Sequence, residues 1–309
     1  MDSIEQAGKL PERLGELATE ARNPRSERLD QLPTLEMLGI LNEEDAVVAG
    51  AVKAVLPEIA RAVDEISERF ARSGRLFYVG AGTSGRLGVL DASECPPTFG
   101  VSPELFVGII AGGDGALRRS SEGSEDDALQ GAADLVPYSL NADGSLVGIA
   151  ASGRTPYVLG AMSAAKQAGA LTIALTCAPG SRMGALAEIA IELATGAEAL
   201  TGSTRMKAGT ATKMVLNMIS TGVMVRRGAV FGNLMVNVQT TNAKLLNRAE
   251  RIVAAASGCD GETASRLLKE GGGVKMAIVM ARLEIGREAA KARLARHDGL
   301  LRAAISDRG

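Results

Sequence analysis

Leu76-Phe77-Tyr78-Val79 runs directly into Gly80-Ala81-Gly82-Thr83-Ser84-Gly85-Arg86. A short apolar run that ends at a glycine suits a strand buried on both faces. The turn that follows is rich in glycine and hydroxyl groups and leads into a helix, as at a strand-to-helix junction. The same grammar recurs along the chain. Residues 105–110 are apolar and end in Ala111-Gly112-Gly113. Residues 146–150 end in Ala151-Ser152-Gly153, 171–175 end in Thr176, and 189–193 form a fifth, weaker run. Helical stretches lie between most of them, notably 123–135 and 156–168, the latter closed by Gly169. Apolar strands alternating with helices predict an α/β fold, a doubly wound, mainly parallel five-stranded sheet. Such a sheet places its ligand beyond the C-terminal ends of its strands. Here those ends carry Gly, Ser and Thr.

The flanks read differently. Residues 1 to about 42 are polar and interrupted by Pro11, Pro24 and Pro33, which suggests a helical arm with short elements. Asn42 followed by Glu43, Glu44 and Asp45 predicts a helix start, with acids facing the positive end of the dipole. That helix extends to about Arg72, with Pro57 as a kink or break. The spacing of Met206, Ala211, Met214, Val215, Met218 and Ile219 is helical. From about Thr240 onward the pattern is helix throughout, with Gly258 and Gly271-Gly272-Gly273 as breaks, and predicts a small all-helical C-terminal subdomain.

Composition narrows the function. The chain has 309 residues and a formal net charge of −2, with both signs interspersed, which argues against a nucleic-acid or anionic-membrane binder. Its length suits one large domain or two. Cys95, Cys177 and Cys259 lie far apart without a CxxC pair, which fits a reducing compartment and offers no zinc-ligand spacing. The acidic start argues against a signal peptide. No run of 18 apolar residues occurs, so no membrane span is expected. The single histidine, His297, argues against a histidine triad or a multi-histidine metal site. Proton chemistry in this chain falls to other groups.

Gly80 to Gly85 fits the dinucleotide pattern GxGxxG, but no acidic residue stands clearly at the end of the second strand: Glu104 falls at its start and Asp114 comes late. The loop after the third strand, Ala151-Ser152-Gly153-Arg154-Thr155-Pro156, repeats the Ser-Gly-Arg of the first. Thr155 at the N-cap and Pro156 at the first helical position mark another helix start. Two hydroxyl-bearing loops at helix N-termini suit an anion, through backbone N–H groups, hydroxyls and the dipole. One phosphate reached by both points to a sugar phosphate; two tight β–α turns would need the glycines but not the repeated hydroxyls. Gly82, Thr83, Ser84, Gly85, Arg86, Ser152, Gly153, Arg154 and Thr155 are the candidate phosphate-binding residues. Ser203 and Lys207 join them from Ser203-Thr204-Arg205-Met206-Lys207, a basic, hydroxyl-rich helix start. Lys207 there suits a phosphate, a carboxylate, another subunit or plain solvent.

In Asp91-Ala92-Ser93-Glu94-Cys95-Pro96-Pro97 the paired prolines are expected to end the helix. Glu94 would then sit at a helix C-terminus, where the dipole disfavours negative charge, as suits a proton donor. An exposed surface glutamate fits the same position. Glu122-Gly123-Ser124-Glu125-Asp126-Asp127 follows the second strand; acids in a first turn are ordinary caps, but this loop opens on the edge where the Ser-Gly-Arg loops lie.

Together these stretches, with Thr98, Tyr157-Val158, Ala208-Gly209-Thr210 and Phe231-Gly232-Asn233-Leu234-Met235, resemble the N-acetylmuramic acid 6-phosphate etherase family of sugar-isomerase (SIS) domain proteins. The resemblance runs from about Leu32 to the last helix. It implies an arm and helix over 1–56, a SIS phosphosugar-binding domain over 57–220, a connecting segment over 221–239 and a helical subdomain over 240–309. It further implies a cytoplasmic homodimer that recycles peptidoglycan sugar without metal or other cofactor. The family's acid/base pair maps onto Glu94 and Glu125. A sugar-phosphate-sensing regulator on the same domain would need neither glutamate; an aldose–ketose isomerase would need a base for the C2 proton.

Overall fold

The computed structural model describes residues 19–119, 121–239 and 242–307. In chain order the principal elements begin with α1 (Thr34–Asp45), α2 (Val48–Ala54) and α3 (Leu56–Ala71). The alternating region follows: β1 (Leu76–Gly80), α4 (Gly82–Phe99), β2 (Phe106–Ile110), α5 (Ala128–Ala133), β3 (Ser145–Ile149), α6 (Pro156–Gln167), β4 (Leu171–Thr176), α7 (Arg182–Leu186) and β5 (Ile189–Glu192). Then come α8 (Lys207–Arg226) and the short strands β6 (Val230–Phe231) and β7 (Leu234–Met235). Five helices close the chain: α9 (Ala243–Ser257), α10 (Gly261–Gly271), α11 (Val274–Leu283), α12 (Arg287–Arg296) and α13 (Leu301–Ser306).

The five strands pair in parallel, in the order β2-β1-β3-β4-β5, as the alternation predicts. Every residue of β1, β3 and β4 is buried, which explains why these strands read as unbroken apolar runs. Phe77 and Val79 of β1 and Leu146 of β3 face Tyr157, Val158 and Met162 of α6. On the opposite face α4 lies so close that a Cβ at Gly88 would stand 2.9 Å from the Tyr78 Cβ. Helices therefore cover both faces.

The chain divides into two compact units. One comprises Met1–Ser93 and Pro103–Ser220 and holds the sheet; the other comprises Glu94–Ser102 and Thr221–Gly309. The second has its own core, in which Ile252, Val253, Leu267, Leu268, Ile278 and Val279 are buried. Asn242 and Asp260 cap α9 and α10 through their side chains, and Gly258 and Gly272 end those helices in left-handed geometry.

Three local expectations are corrected, those at Asn42, at Pro96-Pro97 and over 123–135. Asn42 lies in the last turn of α1 and does not start a helix; the chain breaks before Val48 and again at Val55. The break expected at Pro57 lies at Val55, and Pro57 falls in the first turn of α3, where its missing N–H has no intrahelical partner to lose. Pro96 and Pro97 do not end α4, which continues through both to Phe99. Burial of Cys95 and Phe99, four residues apart on one face, overrides the local preference against helix before a proline. The 123–135 stretch is no single helix: a 3-10 turn over Glu122–Asp126 precedes α5, which Asp127 caps by accepting from the Gln130 N–H at 2.9 Å.

Candidate phosphosugar site

β1 and β3 are neighbours in the sheet, with Gly80 level with Ile149. The chain turns from β1 outward to β2 on one side and from β3 to β4 on the other, so this is the switch point of the strand order. The two Ser-Gly-Arg loops therefore leave the same end of the sheet side by side.

In the first loop Gly82 takes a left-handed φ of +51°, and α4 begins there. Thr83 and Ser84 occupy its first turn, half-buried, where backbone N–H groups have no intrahelical acceptor. Gly85 is required by packing: a Cβ there would stand 2.6 Å from the Gly80 carbonyl oxygen. The Arg86 guanidinium donates to the carbonyls of Ala116 at 2.7 Å and Leu117 at 3.2 Å. It thus pins the turn after β2.

In the second loop Gly153 has a φ of +63°, and a Cβ there would lie 2.3 Å from the Ser181 Cβ. Ser152, Arg154 and Thr155 are half-buried. Thr155 occupies the N-cap position of α6 but makes no side-chain cap bond, so its hydroxyl is not spent on the helix. The Arg154 Nε is buried without a protein acceptor.

The third contributor starts later than its sequence suggested. α8 begins at Lys207, so Ser203 lies before it, half-buried. Its N-terminus is filled by the chain's own Glu198 carboxylate, which accepts from the N–H groups of Lys207 at 3.0 Å and Ala208 at 2.9 Å. The Lys207 ammonium is buried and bonds the Glu44 carboxylate at 2.5 Å. Of the options open for Lys207, the carboxylate is the one occupied. Burial would raise the Glu44 carboxyl, but Lys207, Asn23 and Arg25 outweigh it and hold it below its ordinary value. The start of α8 stays beside the first loop: a Cβ at Gly209 would lie 3.7 Å from the Thr83 Cγ2.

Glu125 is exposed in the turn after β2, at the same end of the sheet as the two loops. Ser121 and Ser124 join their hydroxyls at 2.6 Å within that turn. Its position depends on α5, which presses on α6 so closely that a Cβ at Gly160 would stand 1.9 Å from the Ala128 carbonyl oxygen. Tyr157 of α6 also donates its hydroxyl to Asp134 at the end of α5. Glu94 is exposed on α4, before Pro96, and not at the helix C-terminus. The dipole argument for its acidity therefore falls.

A cavity of about 670 Å³ opens along β2, lined by Gly112, Gly113, Asp114, Ser124, Asp127 and Asp134 among others. Its lining holds three carboxylates and no cation, which suits an anionic ligand poorly. Burial pushes the Cys177 thiol up to about 12, so it stays protonated and is no ready nucleophile. Among the described residues no group of three His, Cys, Asp or Glu side chains could hold a metal ion. Nor is any described helix long and apolar enough to cross a membrane. The buried acids Glu44, Glu198 and Asp91 carry no sequence signal for these roles, because no local spacing points to their distant partners.

The family model described as the glucokinase regulatory protein N-terminal SIS domain matches residues 58–166. N-acetylmuramic acid 6-phosphate etherase 2 of Vibrio parahaemolyticus serotype O3:K6 (strain RIMD 2210633) is 53% identical, over 95% of this chain and 98% of its own. N-acetylmuramic acid 6-phosphate etherase of Cronobacter sakazakii (strain ATCC BAA-894) is 56% identical, over 94% of this chain and 99% of its own.

Proposed function

This chain belongs to the N-acetylmuramic acid 6-phosphate etherase family, and from that premise we propose how its residues carry out the reaction. The chain is a carbon–oxygen lyase of peptidoglycan recycling. It cleaves the D-lactyl ether of N-acetylmuramate 6-phosphate to N-acetylglucosamine 6-phosphate and D-lactate. The observation that carries the reading is the pair of hydroxyl-bearing loops leaving adjacent strands at the switch point of the sheet. Thr83, Ser84, Ser152, Gly153, Arg154, Thr155 and Ser203 hold the phosphosugar; Arg86 and Lys207 hold the framework around it.

An unactivated ether resists direct hydrolysis. Opening the sugar ring exposes an aldehyde at C1, which acidifies the proton on C2. Glu125 removes that proton, the C3–O bond breaks, and Glu94 protonates the departing lactyl oxygen. Water then adds across the C2–C3 double bond: its oxygen bonds C3, its proton returns to the carboxylate of Glu94, and C2 regains a proton from Glu125. One base and one acid complete the cycle, each contributing roughly 10² to 10⁴ in rate. A non-catalytic regulatory role, as the description of the matched SIS domain suggests, requires neither carboxylate.

The active form is a cytoplasmic homodimer on this reading. Eleven residues separate Thr83 from Glu94 on α4, a rise of roughly 16 Å at 1.5 Å per residue. That is well beyond the span from the phosphate to the C3 ether oxygen of a hexose phosphate, so on this reading Glu94 serves a sugar held by the partner's loops. Incubation with N-acetylmuramate 6-phosphate tests the reaction: equimolar D-lactate and N-acetylglucosamine 6-phosphate support it. Binding without turnover indicates a sensor, and a ketose product an isomerase.

A further inference from the structure

The end of α4 presents a mechanical problem. At its start, glycines bring the helix flat against β1, with a Cβ at Gly85 or Gly88 excluded by backbone or side-chain atoms of that strand. Val89 packs over Gly108 of β2, where a Cβ would stand 2.5 Å from the Val89 Cα, and these contacts together set the distance to the sheet. At its far end Pro96 and Pro97 lack N–H groups, which deprives the carbonyls of Ala92 and Ser93 of their usual partners. Glu94 sits between the two.

Asp91 lies one turn before Glu94 on the same helix and is 8% exposed. Its Oδ1 accepts from the Ser220 hydroxyl at 3.2 Å, across on α8. The Asn217 amide, oriented as its neighbours require, donates to the same oxygen at 3.0 Å, and its carbonyl accepts from the Lys213 Nζ at 2.9 Å. Burial raises the Asp91 carboxyl, and hydrogen bonds from Ser220 and Tyr78 and the charge of Lys213 partly offset that rise. Ser93 and Ser220 are the last residues of the first compact unit on their helices. The Asp91–Ser220 bond therefore ties α4 to α8 immediately before both helices leave that unit. An apolar pair would join the helices without the cost of burying a carboxylate; directional bonds add an angular constraint to that of packing.

We infer that Asp91, through Ser220, is a positioning residue that fixes the rotation of α4 and thereby the aim of Glu94. The inference rests on the proton-transfer role assigned to Glu94 above.

The test compares D-lactate release by the full-length enzyme carrying Asp91→Ala, Asp91→Asn, Ser220→Ala, Glu94→Gln and Asp91→Ala with Glu94→Gln. Asp91→Ala and Ser220→Ala should lower kcat about 10- to 100-fold, the range for small misplacements of a reacting group. KM and the affinity for N-acetylglucosamine 6-phosphate should stay within about twofold, as a positioning role predicts and general loosening does not. Asp91→Asn, which keeps an oxygen acceptor for Ser220, should recover most of the rate. Added to Glu94→Gln, Asp91→Ala should cause little further loss. The inference is overturned if folded Asp91→Ala or Ser220→Ala keeps kcat within about twofold of wild type. Full additivity with Glu94→Gln overturns it equally. Should Asp91→Ala fail to fold, the smaller deletion Ser220→Ala decides. Wild-type-like turnover by Glu94→Gln alone would instead remove the premise, and is read without any Asp91 variant.

Discussion

The Lys207 ammonium lies 2.5 Å from the Glu44 carboxylate, with both side chains enclosed, at 4% and 6% exposure. The pair joins the end of α1 to the start of α8, and two further contacts follow the same seam. Asn23 donates to the Ala197 carbonyl at 3.2 Å, and the buried Ser26 hydroxyl donates to that of Ala199 at 2.6 Å. The segment from Asn23 to Glu44 is thus strapped to the segment that leads into α8.

Removing the Glu44 charge strands Lys207 in a dry site, and removing Lys207 leaves the buried Glu44, among the described residues, only the Arg25 cation, at 3.4 Å. Lys207→Met or Glu44→Gln should therefore cost about 3–5 kcal/mol in denaturant unfolding. The double change Glu44→Leu with Lys207→Met should recover most of that loss. A phosphate-binding Lys207 would behave otherwise, raising KM with little change in stability.

The same pair predicts an acid response. Glu44 is held below its ordinary value when folded. Its stabilising contribution is thus complete above the unfolded-state value and is lost as pH falls through the lower folded one. The stability gap between wild type and Glu44→Gln, followed by urea midpoints, should narrow on acidification. A gap that widened would refute the assignment.

Ser84→Ala and Ser152→Ala each remove a hydroxyl from the loops at the switch point. Hydrogen bonds to charged groups contribute about 1.5–3 kcal/mol, so each change should weaken phosphosugar affinity roughly 10-fold or more. The effect should appear in KM and product affinity, with kcat at saturation nearly unchanged.

Gly160→Ala tests how Glu125 is placed. The new methyl would meet the Ala128 carbonyl and push α5 away from α6. A loss of about 1–3 kcal/mol in stability is expected. Because α5 carries the turn holding Glu125, kcat should fall with it.

The sheet was legible because strands buried on both faces leave continuous apolar runs ending at glycines. All five occur where those runs stand, and the two echoing loops sit on neighbouring strands. Local signals failed where distant packing decided. The proline pair after Glu94 reads as a helix end, but burial of Cys95 and Phe99 carries α4 through it. Asn42 with its three acids reads as a helix start, but Glu44 answers to Lys207, 163 residues away. Asp91 stands three residues before Glu94 in sequence, yet its bond is to Ser220, 129 residues on.

The central claim is that Glu94 protonates the departing lactyl oxygen while Glu125 takes the C2 proton. The most direct measurement follows both events at once in D2O with N-acetylmuramate 6-phosphate, reading D-lactate release and deuterium at C2. Glu94→Gln should still exchange the C2 proton into unreacted substrate while D-lactate release falls by about 10² to 10⁴; Glu125→Gln should lose both. D-lactate release by Glu94→Gln at close to the wild-type rate would contradict the account.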